Sequence, residues 1–216
     1  MTMSRVLYSY YRSSAAYRVR AALNLKNLSV ELVPVHLRQN EQRSAAYLAR
    51  NPQGLVPWFQ DGDLAFGQSL AIIEYLDEAY PTPPLLPQDM QSRAYTREIA
   101  SIIACDIHPI GNLRVLKKLA ADYQETADGQ AAWNRHWITL GFAAIESRLA
   151  QTAGTFAVGD APSLADICIV PQLYNARRFG VDLAPYPRLV AVDAAARALP
   201  AFIAAAPENQ PDFVEG

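Results

Sequence analysis

The pattern of apolar and polar residues over the first eighty positions alternates between strands and helices. Arg5–Ser9 contains the bulky, β-favouring run Val6-Leu7-Tyr8 and predicts a strand. From Ser13 the apolar residues recur at helical spacing, and Arg18 and Arg20 are expected to point away from the core. Further strands are predicted at 30–35, 58–60 and 64–66, and helices at 41–50 and 70–76. The order β-α-β-α-β-β-α predicts a mixed, four-stranded sheet with helices packed on it.

A proline-rich stretch then separates two kinds of pattern. Residues 80–88 contain four prolines, and neither a helix nor a central strand can run through that composition. We therefore predict an α/β domain at 1–84 and an all-helical domain at 89–216.

Residues 90–205 carry only helical periodicity. A long helix is predicted along Ile99–Ile110, with a kink at Pro109 and Gly111. A second helix contains Trp133 and ends near Gly154, and a variant of the capping box at 163–166 predicts the start of a third. A further helix is predicted at 188–199, and the tail from residue 207 is expected to be loose.

Composition excludes several classes of function. The 216 residues carry a net charge of −2, which argues against a nucleic-acid-binding protein. The sequence shows neither a signal core at the N-terminus nor an apolar run long enough for a bilayer. Cys105 and Cys168 are too few for a disulfide framework, so we expect a cytoplasmic protein. The spacing of Cys105 and His108 lacks the further ligands that a metal site needs, and we predict no metal.

The junction between the first strand and the first helix carries the most distinctive chemistry. Ser13 and Ser14 are good N-cap residues at the point where unpaired N–H groups and the helix dipole favour an anion. A thiolate is such an anion, since a helix N-terminus lowers the pKa of a thiol. From the residues of this stretch alone, an ordinary serine cap in a plain βα unit is the favoured explanation.

Several motifs together resemble the cytosolic glutathione transferases, a family with a small thioredoxin-like domain, a linker and a helical bundle. Leu55-Val56-Pro57 resembles the family's cis-proline loop, and Gln68-Ser69 resembles the pair that grips the γ-glutamyl end of glutathione. Arg12–Leu23 is similar to the Ser-Ser-Cys signature of the zeta class. The sequence departs from that signature at Ala15, in place of cysteine, and at Tyr17, in place of tryptophan.

The resemblance implies roles for particular residues, with glutathione as the cofactor, a small dicarboxylate as the substrate and a homodimer as the assembly. The implied catalytic residues are Ser13, Ser14 and Arg12. The implied glutathione-binding residues are Val56, Pro57, Gln68, Ser69, His108 and Asn112. The implied substrate-binding residues are Arg12, Arg114 and Arg178, because guanidinium groups match carboxylates in geometry.

Each of these roles has a simpler alternative. Pro57 could follow an ordinary trans bond, Gln68-Ser69 could be a simple helix cap, and any one arginine could be a solvated surface charge. His108 and Asn112 lie four positions apart, and we expect them to share one helical face.

The resemblance implies a glutathione-dependent cis–trans isomerase for maleylacetoacetate or maleylpyruvate, in which a thiolate adds reversibly to the double bond. Because Ala15 replaces the cysteine of the signature, the nucleophile would have to come from glutathione. A general glutathione transferase that conjugates other electrophiles is the alternative enzyme. A non-catalytic binding protein is a third possibility, which the presence of Ser13, Gln68 and Ser69 disfavours.

Overall fold

A four-stranded mixed sheet forms the centre of the first part of the chain. In the computed structural model, which describes residues 5–215, the strands are β1 (Arg5–Ser9), β2 (Glu31–Pro34), β3 (Trp58–Asp61) and β4 (Leu64–Gly67). Their order is β2-β1-β3-β4, with β1 and β2 parallel and the other neighbours antiparallel. The predicted mixed sheet is therefore confirmed.

Three helices accompany this sheet: α1 (Ser14–Leu25), α2 (Ala45–Arg50) and α3 (Ser69–Ala79). The helix predicted at 41–50 is shorter than expected, because Glu41–Arg43 forms a separate 3₁₀ turn and Ser44 caps α2. Helix α1 is buried on all sides, and Arg18 and Arg20 are only 1% and 3% exposed. The prediction that these two arginines point away from the core is wrong.

The chain forms two compact units, Met1–Pro84 with Leu199–Gly216, and Leu85–Ala198. The end of the chain belongs to the first unit, where α9 (Pro200–Ala205) packs against α1. The Tyr17 hydroxyl donates a hydrogen bond to the Phe202 carbonyl at 3.2 Å, and the Asn24 side chain donates one to Ala201 at 2.9 Å.

The prediction of a loose tail is also wrong. After a 3₁₀ turn at Pro207–Asn209, the buried Gln210 side chain donates hydrogen bonds to the carbonyls of Ala204 and Ala206. Asp212 then accepts the backbone N–H of Tyr11 at 2.9 Å. The tail is ordered because its polar groups have partners in the first unit.

The second unit is helical. Its helices are α4 (Met90–Ser101), α5 (Leu113–Tyr123), α6 (Ala127–Thr152), α7 (Leu164–Arg178) and α8 (Pro187–Arg197), with a π-helical segment at Ile102–Ile107 after α4. The chain is broken, not kinked, at 108–112, because Pro109 has no N–H to continue the helix and Asn112 caps a new one. No helix within residues 5–215 is long and apolar enough to cross a membrane.

The capping box predicted at the start of α7 is present and fully buried. Asp166 accepts the N–H of Ala157 and the N–H of Ser163, both at 2.8 Å, and the Ser163 hydroxyl at 2.9 Å. Burial raises the pKa of Asp166 to about 6, and the hydrogen bonds from Ala157 and Ser163 oppose that increase. The carboxylate thus connects the loop before α7 to its first turn.

We predict that Asp166→Ala lowers the free energy of unfolding by about 2–3 kcal/mol, since it leaves two buried N–H groups unpaired. The variant also no longer buries a charged carboxylate, and this gain limits the loss in the free energy of unfolding. Denaturant unfolding measures the effect. Asp122→Ala is the control, because this exposed carboxylate forms a surface ion pair with Lys118 and should contribute less than about 0.5 kcal/mol. Equal stability of the two variants would contradict a structural role for the box.

Candidate active site

The site predicted at the start of α1 is centred on Ser13. The backbone of Ser13 is extended, and its Oγ accepts the N–H of Ala16 at 3.2 Å, as an N-cap residue does. The Ser13 N–H donates to the Tyr10 carbonyl at 2.9 Å, which fixes the preceding turn. Because Oγ acts as the acceptor for the cap, its own hydrogen can be donated outward. The first turn contains no acidic residue, so the positive end of the helix dipole is not offset there.

A second element of the site is the loop from Asn51 to Pro57. The buried Asn51 side chain and the Tyr47 hydroxyl both donate to the Leu55 carbonyl, at 2.8 and 2.7 Å. The Val56–Pro57 bond is cis, as the motif predicted. The backbone of Val56 forms no hydrogen bond with any residue in 5–215, so both its polar groups can pair with an extended peptide.

The start of α3 provides the third element. Gln68 occupies the N-cap position with φ of +73°, a conformation that is unusual for a residue with a side chain. Within the described chain its side chain does not cap the helix but donates to Gln53 Oε1 at 2.9 Å. Ser69 is the first helical residue and is buried. A simple helix cap is therefore not what Gln68-Ser69 forms.

Arg18 connects α1 to α3 and was not identified from the sequence. Its Nη1 donates to Ser69 Oγ at 3.3 Å in the interior of the first unit. Nothing in the local pattern separates a buried arginine from a solvated one, because the partner hydroxyl lies 51 residues away. The contact fixes the side chain of Ser69 with respect to the helix that Ser13 and Ser14 begin.

Aromatic packing brings the turn before Ser13 onto the cis-proline loop. One apolar cluster contains Tyr10, Tyr11, Val35, Tyr47 and Val56. Burial raises the pKa of Tyr10 to about 12, while the nearby positive charges of Arg12 and Arg38 lower it. Arg12 is half-buried in the same turn, so a cation lies next to the helix N-terminus.

The remaining predicted residues lie in the second unit. His108 follows the π-helical segment and donates its N–H to Ile103, whereas Asn112 caps α5 by accepting the N–H of Arg114 at 3.1 Å. The prediction that His108 and Asn112 share one helical face is wrong, because the helix ends between them. Arg114 is exposed in the first turn of α5. Arg178 is exposed at the end of α7, with its guanidinium 4.6 Å from the centre of the Phe179 ring. The roles of these four residues stay predictions.

The first-unit elements can therefore bind an anionic peptide. Three features lie in one unit: a helix N-terminus with a serine hydroxyl, the Val56 backbone beside a cis proline, and a helix start at Gln68 that no side chain within residues 5–215 caps. Among the described residues no group of three or more His, Cys, Asp or Glu side chains could hold a metal ion.

Models of known families match both parts of the chain. Residues 7–84 match the glutathione S-transferase N-terminal domain, and residues 140–192 match the C-terminal domain. A probable maleylacetoacetate isomerase of Vibrio cholerae is 51% identical, over 97% of this chain and 99% of that protein.

Solved structures give the same result. The holo structure of maleyl pyruvate isomerase, a bacterial zeta-class glutathione S-transferase, is 47% identical with a TM-score of 0.95, over 97% of this chain and 100% of that one. A maleylacetoacetate isomerase from Anaeromyxobacter dehalogenans, with dicarboxyethyl glutathione and citrate bound in its active site, is 45% identical with a TM-score of 0.89. The match covers 99% of each chain.

We predict that Ser13→Ala lowers the free energy of unfolding by about 1 kcal/mol, because α1 loses its cap. Ser13→Asp should keep the stability, since a carboxylate also caps and favours the positive end of the dipole. Thermal unfolding measures both variants, with the exposed Ser29→Ala as the control. An unchanged melting temperature for Ser13→Ala would show that the Ala16 N–H contact contributes nothing to stability.

Proposed function

The chain belongs to the zeta class of the glutathione S-transferase family, and from this we propose that it isomerises maleylacetoacetate or maleylpyruvate with glutathione as the cofactor. The observation that carries the proposal is the Ser13 cap: its oxygen accepts the N–H of Ala16, which leaves the hydroxyl hydrogen for an outside acceptor, and the first turn of the helix contains no acidic residue. This arrangement stabilises a thiolate without any enzyme cysteine.

The residues of the first unit fit glutathione at two places, the loop at Val56 and the start of α3. The N–H and carbonyl of Val56 offer a short strand-like pairing to a peptide backbone. The start of α3 behind Gln68 has no side-chain cap from the described residues and suits the carboxylate at the γ-glutamyl end. Ser69 lies in that first turn, and its side chain is fixed by Arg18.

Glutathione, when bound, supplies a thiolate that can add reversibly to an activated double bond. The chain's own part is to hold that sulfur as an anion: the Ser13 hydroxyl donates a hydrogen bond to it, and Ser14 with the first-turn N–H groups adds positive potential. Ala15 leaves no competing thiol in this turn.

Guanidinium groups would bind the substrate. We assign Arg12, Arg114 and Arg178 to the two carboxylates and to the negative charge that develops on the conjugated carbonyl. Dicarboxyethyl glutathione in the Anaeromyxobacter structure supports a dicarboxylate substrate, since it carries two carboxylates on a carbon chain joined to sulfur. That is the connectivity expected when a thiol adds to a dicarboxylate with a double bond.

A general transferase for other electrophiles is the alternative, because the same thiol site would serve it. The names and bound dicarboxylate ligands of the similar proteins favour the isomerase. A homodimer and a cytoplasmic location are further parts of the proposal. They rest on the family, and the two free cysteines of the described chain are consistent with a reducing compartment.

The direct test mixes the protein, glutathione and maleylpyruvate or maleylacetoacetate and follows loss of the enol absorbance. We expect acceleration with glutathione and none with S-methylglutathione, which has no free thiol. The total thiol concentration should stay constant, because an isomerase regenerates glutathione whereas a conjugating enzyme consumes it.

Ser13→Asp is the inactive control for this assay. It keeps the helix cap but has no hydrogen to donate and repels a thiolate, so turnover should fall by about a hundredfold or more. No acceleration by the wild type with glutathione bound, together with loss of thiol in the presence of a neutral electrophile, would replace the isomerase with the general transferase.

Replacing the arginines tests the assigned substrate contacts. Alanine at Arg12, Arg114 or Arg178 should raise KM for the dicarboxylate and lower kcat/KM by about 10- to 100-fold. That is the size of one lost charge-assisted hydrogen bond. Conjugation of a neutral aryl halide should be unaffected by the same changes.

Lys118→Ala is the matched control, since it removes an exposed cation from the same helix as Arg114. Equal losses with the neutral and the dicarboxylate substrate would show that the arginines support the fold or glutathione and not the substrate.

A further inference from the structure

Tail residues 212–214 bind to Tyr11, in the turn that leads into the proposed thiol site. Asp212 Oδ2 accepts the backbone N–H of Tyr11 at 2.9 Å, and the Tyr11 hydroxyl donates to the Val214 carbonyl at 3.2 Å. The rings of Tyr11 and Phe213 meet edge to face, with centroids 5.5 Å apart. Three consecutive tail residues therefore contact one residue, which directly precedes Arg12.

Arg20 holds the same turn from inside the protein. Its buried guanidinium donates to Ser9 Oγ at 2.9 Å and to the carbonyls of Tyr10 and Tyr11 at 3.4 and 3.0 Å. Its Nε donates to the carbonyl of Ala205, just before the tail, at 3.0 Å. The turn is thus fixed on its carbonyl side by Arg20 and on its N–H side by Asp212.

Asp212 is also the main opposing charge for that guanidinium. Burial lowers the pKa of Arg20 to about 10, and the negative charge of Asp212 counteracts this effect. Loss of the carboxylate would therefore remove the hydrogen bond to the Tyr11 N–H. It would also make the burial of the Arg20 charge less favourable, and Arg20 binds the carbonyls of the same turn.

The turn in question controls Ser13. The Tyr10 carbonyl that Arg20 contacts also accepts the N–H of Ser13 at 2.9 Å, so a shift of the turn moves the cap residue. We propose that Asp212 is a positioning residue for the thiol site: it holds Tyr10–Arg12 in the geometry that directs Ser13 and Arg12 toward their ligands. This inference rests on the proposed function, because it concerns the placement of the groups assigned there to glutathione and substrate.

The test compares Asp212→Ala and Asp212→Asn with wild type. For Asp212→Ala we expect kcat/KM to fall about tenfold and the pKa of the thiol of bound glutathione, titrated by its ultraviolet thiolate absorbance, to rise. The Tyr11 amide should exchange its hydrogen faster. Asp212→Asn keeps an acceptor for the Tyr11 N–H but not the charge, so its values should lie between the two.

Glu215→Ala is the matched control, since it removes an exposed carboxylate three residues farther along the tail. A purely structural role would lower the melting temperature of Asp212→Ala and leave the thiol titration at the wild-type value. That result, or identical behaviour of Asp212→Ala and Glu215→Ala, would overturn the proposal.

Failure of the proposed isomerase function can be distinguished from failure of the Asp212 proposal. If the wild type binds glutathione but does not isomerise the substrates, the isomerase proposal fails, while the thiol titration of the two Asp212 variants still decides this inference. If the wild type binds no glutathione, both proposals are overturned together.

Discussion

Two guanidinium groups that α1 carries into the interior of the first unit determine how its parts are joined. Burying a charge is costly, and hydrogen bonds from distant segments replace part of the water that each guanidinium loses. Arg18 uses the side chain of Ser69 at the start of α3, and Arg20 uses carbonyls at both the turn before α1 and the end of α9. The start of α3 and the turn before α1 also form the candidate site. The hydrogen bonds that make burial of the two charges tolerable therefore also fix the positions of the site's segments.

The sequence predicted best those elements whose signals are local. β1, the cap at Ser13 and the buried box at the start of α7 each depend on a few consecutive residues whose preferences agree. The mixed sheet followed from the order of such elements. For these parts the chain needs no distant contact to specify the local conformation.

Two of the predictions that failed depend on distant partners, and a third failed because of a local cap. Helical spacing placed Arg18 and Arg20 outside because charged residues are seldom fully buried, and only their partners far along the chain reverse that preference. The tail appeared loose because its contacts lie about 200 positions earlier, at Tyr11. His108 and Asn112 have helical spacing, but Asn112 forms a cap with Arg114 and begins a new helix instead.

The candidate site consists largely of backbone groups and helix ends, which explains why the signature can vary at Ala15 and Tyr17. The first-turn N–H groups, the Val56 backbone and the start of α3 are main-chain features, and none of them is supplied by the side chain at position 15. Tyr17 is buried, and its hydroxyl reaches the Phe202 carbonyl in α9, so its role is to hold α1. Under the proposed function, such a site requires from its side chains a hydroxyl donor at Ser13 and nearby cations. What fixes the position of that hydroxyl is therefore the packing around the turn, to which Arg20 and Asp212 both contribute hydrogen bonds.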